Sequence, residues 1–222
     1  KTATSDDEIR GRQEMLLAVD DSLGRIVALL ERMGALDNTM IVFTSDHGYF
    51  YGEHGLNEER RLAYEETIRI PLVIRFPPLA KAGSTPSEMV LSLDIAPTLL
   101  EAAGLQPGAG IQGRSLVPVL KGEAREWRES FLIEYFTDTV YPRIRNMGYV
   151  AVRTGTYKYI SYRELQGMDE LYDLDKDPDE ERNIIDKSDT RETLSDMKAE
   201  LAKLMEQTRY ATSAPALGSS SR

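Results

Sequence analysis

Met40-Ile41-Val42-Phe43-Thr44-Ser45-Asp46-His47-Gly48 (residues 40–48) runs from an apolar β-type stretch straight into a carboxylate and an imidazole. The apolar part predicts a strand over 40–44 with both faces buried, which suits an inner position of a parallel sheet. Upstream, residues 6–33 predict an amphipathic helix, because Met15, Val19, Leu23, Ile26, Leu30 and Met33 recur at spacings of three and four. Ser5 or Asp6 can cap its start, and Gly34 stands where a left-handed terminator belongs. Downstream, Pro71-Leu72-Val73-Ile74 repeats the buried-strand pattern within 68–76. Asp94 to Gly104 reads as a short helix with Pro97 tolerated in its first turn and Gly104 as its stop. This alternation is α/β: the end of a mostly parallel sheet covered by helices. Two core strands are too few for such a sheet, so the remaining strands are expected upstream of Lys1.

After Gly122 the pattern changes. Phe131–Tyr135, Tyr149–Arg153, Tyr157–Tyr162 and Glu170–Leu174 predict four short strands, with Thr154-Gly155-Thr156 as a hairpin turn. Thr190 to Gln207 predicts a helix with Leu194, Met197, Leu201 and Leu204 on one face. The economical arrangement is a small α+β subdomain, a four-stranded antiparallel sheet crossed by one helix. The expected organisation is therefore 1–122 as the C-terminal part of an α/β domain, 123–209 as the small subdomain, and 210–222 as a flexible tail.

The 222 residues are 41% hydrophobic and carry a formal charge of −10. That acidity argues against a nucleic-acid backbone as partner, while a local cation can still draw an anionic small substrate. No apolar run is long enough for a membrane-spanning helix. The absence of cysteine removes disulfides, thiolate metal sites and a cysteine nucleophile on this chain. An opening of Lys1-Thr2-Ala3-Thr4 reads as an excised piece.

Both histidines, His47 and His54, lie between Thr44 and Gly55, with glycines at 48, 52 and 55 to let the backbone turn sharply. Asp46 sits just past a strand's carboxyl end, where open α/β sheets bind ligands. A carboxylate suits a hard divalent cation, and an imidazole adds a nitrogen ligand or a hydrogen bond to an anion. The competing reading is a capped turn with His47 half-buried as filler. Arg60 and Arg61 offer planar donor forks for a sulfate or phosphate. Glu58, Glu59, Glu65 and Glu66 around them instead read as a solvated helix start with i,i+4 pairing, and on these residues alone that account is preferred. The acidic run Asp173 to Asp179 fails the spacing of a calcium loop and is read as a surface turn. Tyr157, Tyr159 and Tyr162 are placed on one face of the hairpin and its rim, and Trp127 carries no reading.

Taken together, Val19-Asp20-Asp21-Ser22-Leu23-Gly24-Arg25, Thr44-Ser45-Asp46-His47-Gly48, Gly52-Glu53-His54-Gly55-Leu56 and Tyr64-Glu65-Glu66-Thr67-Ile68-Arg69-Ile70-Pro71-Leu72 resemble the type I, formylglycine-dependent sulfatases of the alkaline phosphatase superfamily. Ser92 to Leu100, Gln112 to Leu116, Tyr157-Lys158-Tyr159 and Glu170 to Leu174 match later parts of that pattern. The resemblance implies that Asp46 and His47 help bind one calcium ion that holds the sulfate ester. It implies a sulfate-contacting lysine four residues before Tyr-Glu-Glu, where this chain has Arg60; Arg61 and His54 are the neighbouring candidates for the same anion. The formylglycine nucleophile belongs to the N-terminal half of such enzymes and its motif is not on this chain. The implied protein is thus a C-terminal portion of a sulfatase acting on sulfated sugars, inactive alone, completed by its N-terminal half and exported or lysosomal. Two alternatives stay open: a metal-dependent phosphodiesterase or phosphatase of the same superfamily, and a non-catalytic sulfatase-like binding module.

Overall fold

A computed structural model of the chain describes residues 4–57, 59–136 and 145–210. It divides into two units, Lys1–Arg60 with Arg69–Arg128, and Arg61–Ile68 with Glu129–Arg222. The composition shift placed a boundary near Gly122; the change of unit falls after Arg128, and the short segment Arg61–Ile68 belongs with the second unit. Of the tail expected from 210, residues 211–222 lie outside the described residues, as does Glu58.

The helices are α1 (Asp6–Arg32), α2 (Glu65–Ile68), α3 (Ile95–Ala102), α4 (Val117–Leu120) and α5 (Arg191–Gln207). The strands are β1 (Ile41–Thr44), β2 (Leu72–Arg75), β3 (Ser130–Tyr135), β4 (Tyr149–Thr154), β5 (Tyr157–Tyr162) and β6 (Glu170–Asp173). None of the described helices is long and apolar enough to cross a membrane.

In the first unit, Ser5 caps α1 by accepting from the Glu8 N–H at 3.3 Å, and Asp6, Asp7 and Glu8 face the positive helix end. The helix stops as predicted: Gly34 takes φ 64° while Ala35 N–H donates to the Leu30 carbonyl at 2.9 Å. The apolar stripe forms, yet no residue of α1 is buried, and Met15 and Met33 are 72% and 67% exposed. Strands β1 and β2 pair antiparallel, Ile41 opposite Arg75 and Thr44 opposite Leu72. The reading of β1 as an inner strand of a parallel sheet therefore meets no parallel neighbour among the described residues. An apolar run reports a demand for burial on both faces, and says nothing of the direction in which its neighbour runs.

Asp94 organises the stretch from 89 to 128. It is fully buried, and Arg128 grips both its oxygens, with Nη2 to Oδ1 at 2.8 Å and Nη1 to Oδ2. Backbone N–H groups of Leu91 and Arg114 fill the remaining acceptor positions at 2.8 Å each. Arg114 lies over the Trp127 ring at 4.5 Å, and the indole N–H donates to the Met89 carbonyl at 2.6 Å. Gly113 is required here because a Cβ would stand 2.0 Å from the Leu93 carbonyl oxygen.

The second unit holds a four-stranded antiparallel sheet in the order β3-β4-β5-β6. Side chains alternate between its faces. One face carries Leu132, Val150, Val152, Tyr157, Tyr159 and Leu171, and α5 covers it with Leu194, Met197, Leu201 and Leu204, as the helix pattern predicted. The other face carries Tyr149, Arg153, Lys158, Ile160, Tyr162, Glu170 and Tyr172. Tyr162 thus points away from Tyr157 and Tyr159, which corrects their assignment to a common face: 159 and 162 differ by an odd number. The acidic run folds as a turn, with Lys176 Nζ on Asp173 at 2.6 Å.

Asp94→Ala would leave the Arg128 guanidinium and two N–H groups without their acceptor. The expected loss is about 3–5 kcal/mol, read as a lowered urea midpoint with an unchanged m-value, and Asp94→Asn is expected to lose less.

Candidate active site

The start of the loop after β1 is held by its own residues, and its middle by Thr4, Arg12 and Glu59. Ser45 Oγ donates to the His47 carbonyl at 2.8 Å, and Asp46 Oδ1 accepts from the His47 N–H at 3.0 Å. Phe50, fully buried, anchors the middle of the loop, and Thr4 N–H donates to the Tyr51 carbonyl at 2.9 Å. Gly52 at φ 135° and Gly55 at φ 70° use a conformation that suits glycine. His54 between them shares it at φ 53°, in a 3-10 turn from Glu53 to Gly55, its ring edge-on to Phe50 at 5.8 Å.

Asp46 and His47 are brought together at the loop's start. His47 Nδ1 lies 2.7 Å from the Gly48 carbonyl oxygen. A carbonyl only accepts, so Nδ1 carries the proton, and in the neutral ring Nε2 keeps its lone pair. That Nε2 is 3.4 Å from Asp46 Oδ2, and the Asp46 side chain is 83% exposed. The two acceptors thus converge on one point beside solvent, with room there for a cation. Desolvation opposes ionisation of Asp46, but the backbone N–H groups of Asp46 and His47 and the Ser45 hydroxyl outweigh it and hold the carboxyl below its usual range. The pair fits a divalent cation: one hard oxygen, one imidazole nitrogen with its tautomer set by the far-side carbonyl. Among the described residues no group of three or more His, Asp or Glu could hold a metal, so Asp46 and His47 would supply only part of a shell.

Arg60 is exposed, and its N–H donates to Glu59 Oε1 at 2.8 Å. Arg61 is half-buried and begins the segment that belongs to the second unit. The reading of the surrounding glutamates as a solvated helix start fails for Glu65. That residue opens α2, and Glu65 binds Lys158 Nζ at 2.8 Å and Arg153 at 3.5 Å.

Sequence reasoning missed this clamp. Lys158 is completely buried; its ammonium reaches Glu65 Oε1, Glu180 Oε1 and the Ala63 carbonyl, each at 2.8 Å. Glu180 Oε2 in turn accepts from the Glu65 N–H at 2.7 Å. Tyr149 donates its hydroxyl to the Arg61 carbonyl at 2.8 Å, and Tyr64 donates to Glu170 at 2.9 Å. The available signal was a lysine, second in a strand otherwise made of Tyr, Ile and Ser. Desolvation opposes the charge on Glu65, but Lys158 and Arg153 hold its carboxyl low. Burial pushes Glu180 up, with Lys158 only partly offsetting it.

A family model described as N-sulphoglucosamine sulphohydrolase, C-terminal, matches residues 52–207. An N-acetylglucosamine-6-O-sulfatase of Bacteroides thetaiotaomicron is 40% identical over 198 residues, covering 87% of this chain and 34% of its own length. A solved structure in complex with its substrate D-glucosamine-2-N,6-O-disulfate superposes with TM-score 0.82 at 38% identity, over 87% of this chain and 39% of that one. The phosphonate monoester hydrolase of Agrobacterium radiobacter superposes with TM-score 0.76 at 31% identity, over 87% of this chain and 40% of that one. The chain spans little more than a third of the length of these relatives.

The two clamp carboxylates are expected to bend stability with pH in opposite directions. Glu65, held low, stabilises the fold above the ordinary glutamate range and loses that contribution as pH falls through its lowered value. Glu180, held high, costs nothing while protonated, and its penalty grows as pH rises from the ordinary value through its raised one. In thermal unfolding against pH, Glu180→Gln should flatten the decline above the ordinary glutamate range and Glu65→Gln the loss below it. At neutral pH Glu65→Gln should lower Tm more than Glu180→Gln; the reverse order would contradict the assignment.

Proposed function

The chain belongs to the N-sulphoglucosamine sulphohydrolase C-terminal family, and on that footing we propose that it is the C-terminal portion of a sulfatase that hydrolyses sulfate esters of sulfated sugars, with glucosamine 6-sulfates as the preferred class. Support comes from a relative at 40% identity named for that activity and a structural neighbour solved with a disulfated glucosamine. In this reading the exposed apolar side chains of α1, with Phe43 and Val73 at 40% and 61% exposure, face the rest of a longer protein. That remainder, the N-terminal half, supplies the formylglycine nucleophile and the other metal ligands.

The observation that carries the reading is the Asp46–His47 pair: an exposed carboxylate oxygen and a tautomer-fixed imidazole nitrogen 3.4 Å apart. They would hold part of the shell of one calcium ion. When bound, that ion would neutralise charge on the sulfate oxygens. Arg60 keeps the positive charge of the family's sulfate-contacting lysine and adds a planar fork suited to two oxygens; Arg61 and His54 are the further anion contacts. Hydrolysis releases the alcohol and turns the ester's single negative charge into sulfate's two, and fixed donors aimed at those oxygens are the usual means of stabilising it.

A second reading is favoured by the phosphonate monoester hydrolase neighbour: a metal-dependent phosphonate or phosphate ester hydrolase on the same scaffold. A non-catalytic binding module would keep the fold with no turnover of either ester class.

In the full-length protein, Asp46→Ala is expected to weaken calcium binding by about a hundredfold or more, since even outer-shell changes cost about 10–100-fold. Turnover of N-acetylglucosamine 6-sulfate should be lost with Tm in calcium-free buffer nearly unchanged. Unaltered calcium affinity by titration calorimetry would remove the metal assignment. Wild-type turnover of a phosphonate monoester but of no sulfate ester would select the second reading.

A further inference from the structure

The loop that carries Asp46 and His47 is tied to α1 through Arg12, in the second turn of that helix. Its Nη2 donates to the Tyr49 hydroxyl at 2.8 Å and to Glu8 Oε1 at 3.0 Å. The guanidinium carbon lies 3.9 Å from the centre of the Tyr49 ring and 5.7 Å from that of Tyr51, and the two rings stand 5.6 Å apart. Tyr49 and Tyr51 thus turn toward the helix, while Phe50 between them is fully buried. A charged helix surface needs no such partner, because Arg12 already has its i,i+4 glutamate. The contact with Tyr49 crosses 37 residues of chain and joins two parts of one unit.

The hold on Tyr49 bears on His47 through a single peptide. The Gly48 carbonyl places His47 Nδ1 at 2.7 Å, and that carbonyl lies in the rigid plane that ends at the Tyr49 Cα. Gly48 has no Cβ, so its own dihedrals leave the plane wide freedom to rotate. A Tyr49 fixed from outside the loop removes that freedom, and with it the freedom of the imidazole.

We infer that Arg12, with Tyr49, is a positioning residue for the Asp46–His47 pair, holding the Gly48–Tyr49 peptide so that His47 Nε2 and the Asp46 carboxylate stay converged for a divalent cation. This rests on the proposed role of that pair in metal binding. A guanidinium has no lone pair to offer a metal, so the action of Arg12 runs through Tyr49.

The test is calcium titration calorimetry on the full-length protein, beside KM for N-acetylglucosamine 6-sulfate at saturating calcium. Arg12→Met is expected to weaken calcium binding about tenfold, the low end of what an outer-shell change costs. Tyr49→Phe, which keeps the ring and its contact with the guanidinium, is expected to weaken it about threefold. The sign is decisive. Deleting a nearby positive charge by itself favours a bound cation, so tighter calcium binding in Arg12→Met would overturn the inference. A raised KM with unchanged calcium affinity would overturn it too, assigning Arg12 to the substrate instead. Met197→Ala, in the core of the other unit, should lower Tm and leave calcium affinity unchanged. An equal weakening there would reduce the Arg12 effect to general destabilisation and overturn the inference. If Arg12→Met does not fold, Tyr49→Phe decides alone. Asp46→Ala separates the two levels. If it weakens calcium binding and neither Arg12→Met nor Tyr49→Phe does, the inference falls while the metal assignment stands. If Asp46→Ala leaves calcium binding unchanged, the metal assignment falls and the inference falls with it.

Discussion

An ammonium group with no access to water is the constraint on which the second unit depends. Lys158 is buried to zero exposure, and a charge so placed must be paired and hydrogen-bonded or it would be neutralised. It pairs with Glu65 and Glu180 at 2.8 Å each and donates a hydrogen bond to the Ala63 carbonyl. This accounting fixes more than one side chain. It sets which face of β5 carries Lys158, it requires α2 to begin with Glu65 on the sheet, and it draws in Glu180, a non-glycine residue at φ 52°. A left-handed glutamate is unfavourable by itself, and it persists because both its oxygens are engaged. One lysine cannot fully neutralise two carboxylates. Glu65 has Arg153 as well, and this is why burial wins at Glu180 and loses at Glu65.

The same sheet presents opposite chemistry on its two faces. Toward α5 it offers a conventional apolar layer built from Val150, Val152, Tyr159 and Leu171. Toward Arg61–Ile68 it offers hydroxyls and charges. There the phenols of Tyr64, Tyr162 and Tyr172 all donate to Glu170, at 2.9, 3.3 and 3.0 Å. Burial, reinforced by that carboxylate, pushes all three phenols far up, so they remain donors at any physiological pH. The apolar layer supplies most of the burial free energy and tolerates small shifts of volume. The polar layer is less forgiving, because a displaced partner leaves a buried polar group unmet. Cohesion and registration are thus divided between the two faces of one sheet.

The six strands and the helices α1, α3 and α5 were legible because their signals are local. The hairpin at Thr154–Thr156, the stripe Leu194-Met197-Leu201-Leu204 and the Ser5 and Gly34 caps each need no more than a turn or two of chain to be recognised. Asp46 and His47 were legible as a pair for the same reason: among the described residues their hydrogen bonds come from Ser45 to Gly48. Lys158 was not, since its partners stand at 65 and 180, and alternation cannot say which face is the core when both faces are covered. Glu65 was misread by the same locality, because Arg60 and Arg61 were within helical reach and looked like sufficient partners. The direction of β1 against β2 was hidden for a different reason: apolarity encodes burial, whereas direction is set by the hydrogen-bond ladder.

The two kinds of site residue differ in how firmly the fold determines them, and the difference follows from what each must do. A group that will meet a ligand has to keep an unsatisfied valence until the ligand arrives. Asp46 is 83% exposed, and the lone pairs it shares with His47 Nε2 face each other across 3.4 Å. Such an arrangement is unfavourable without a cation or proton and becomes favourable once one is present. It costs little only because water screens it and because local hydrogen bonds from Ser45 and the backbone hold it. A group that orders the backbone has the opposite requirement: Lys158 must be satisfied within the fold, dry, and partnered over long sequence distances. A loosely determined pair open to solvent and a fully determined cation under a sheet are therefore two answers to one electrostatic problem, the first met by water and the second by partners within the fold.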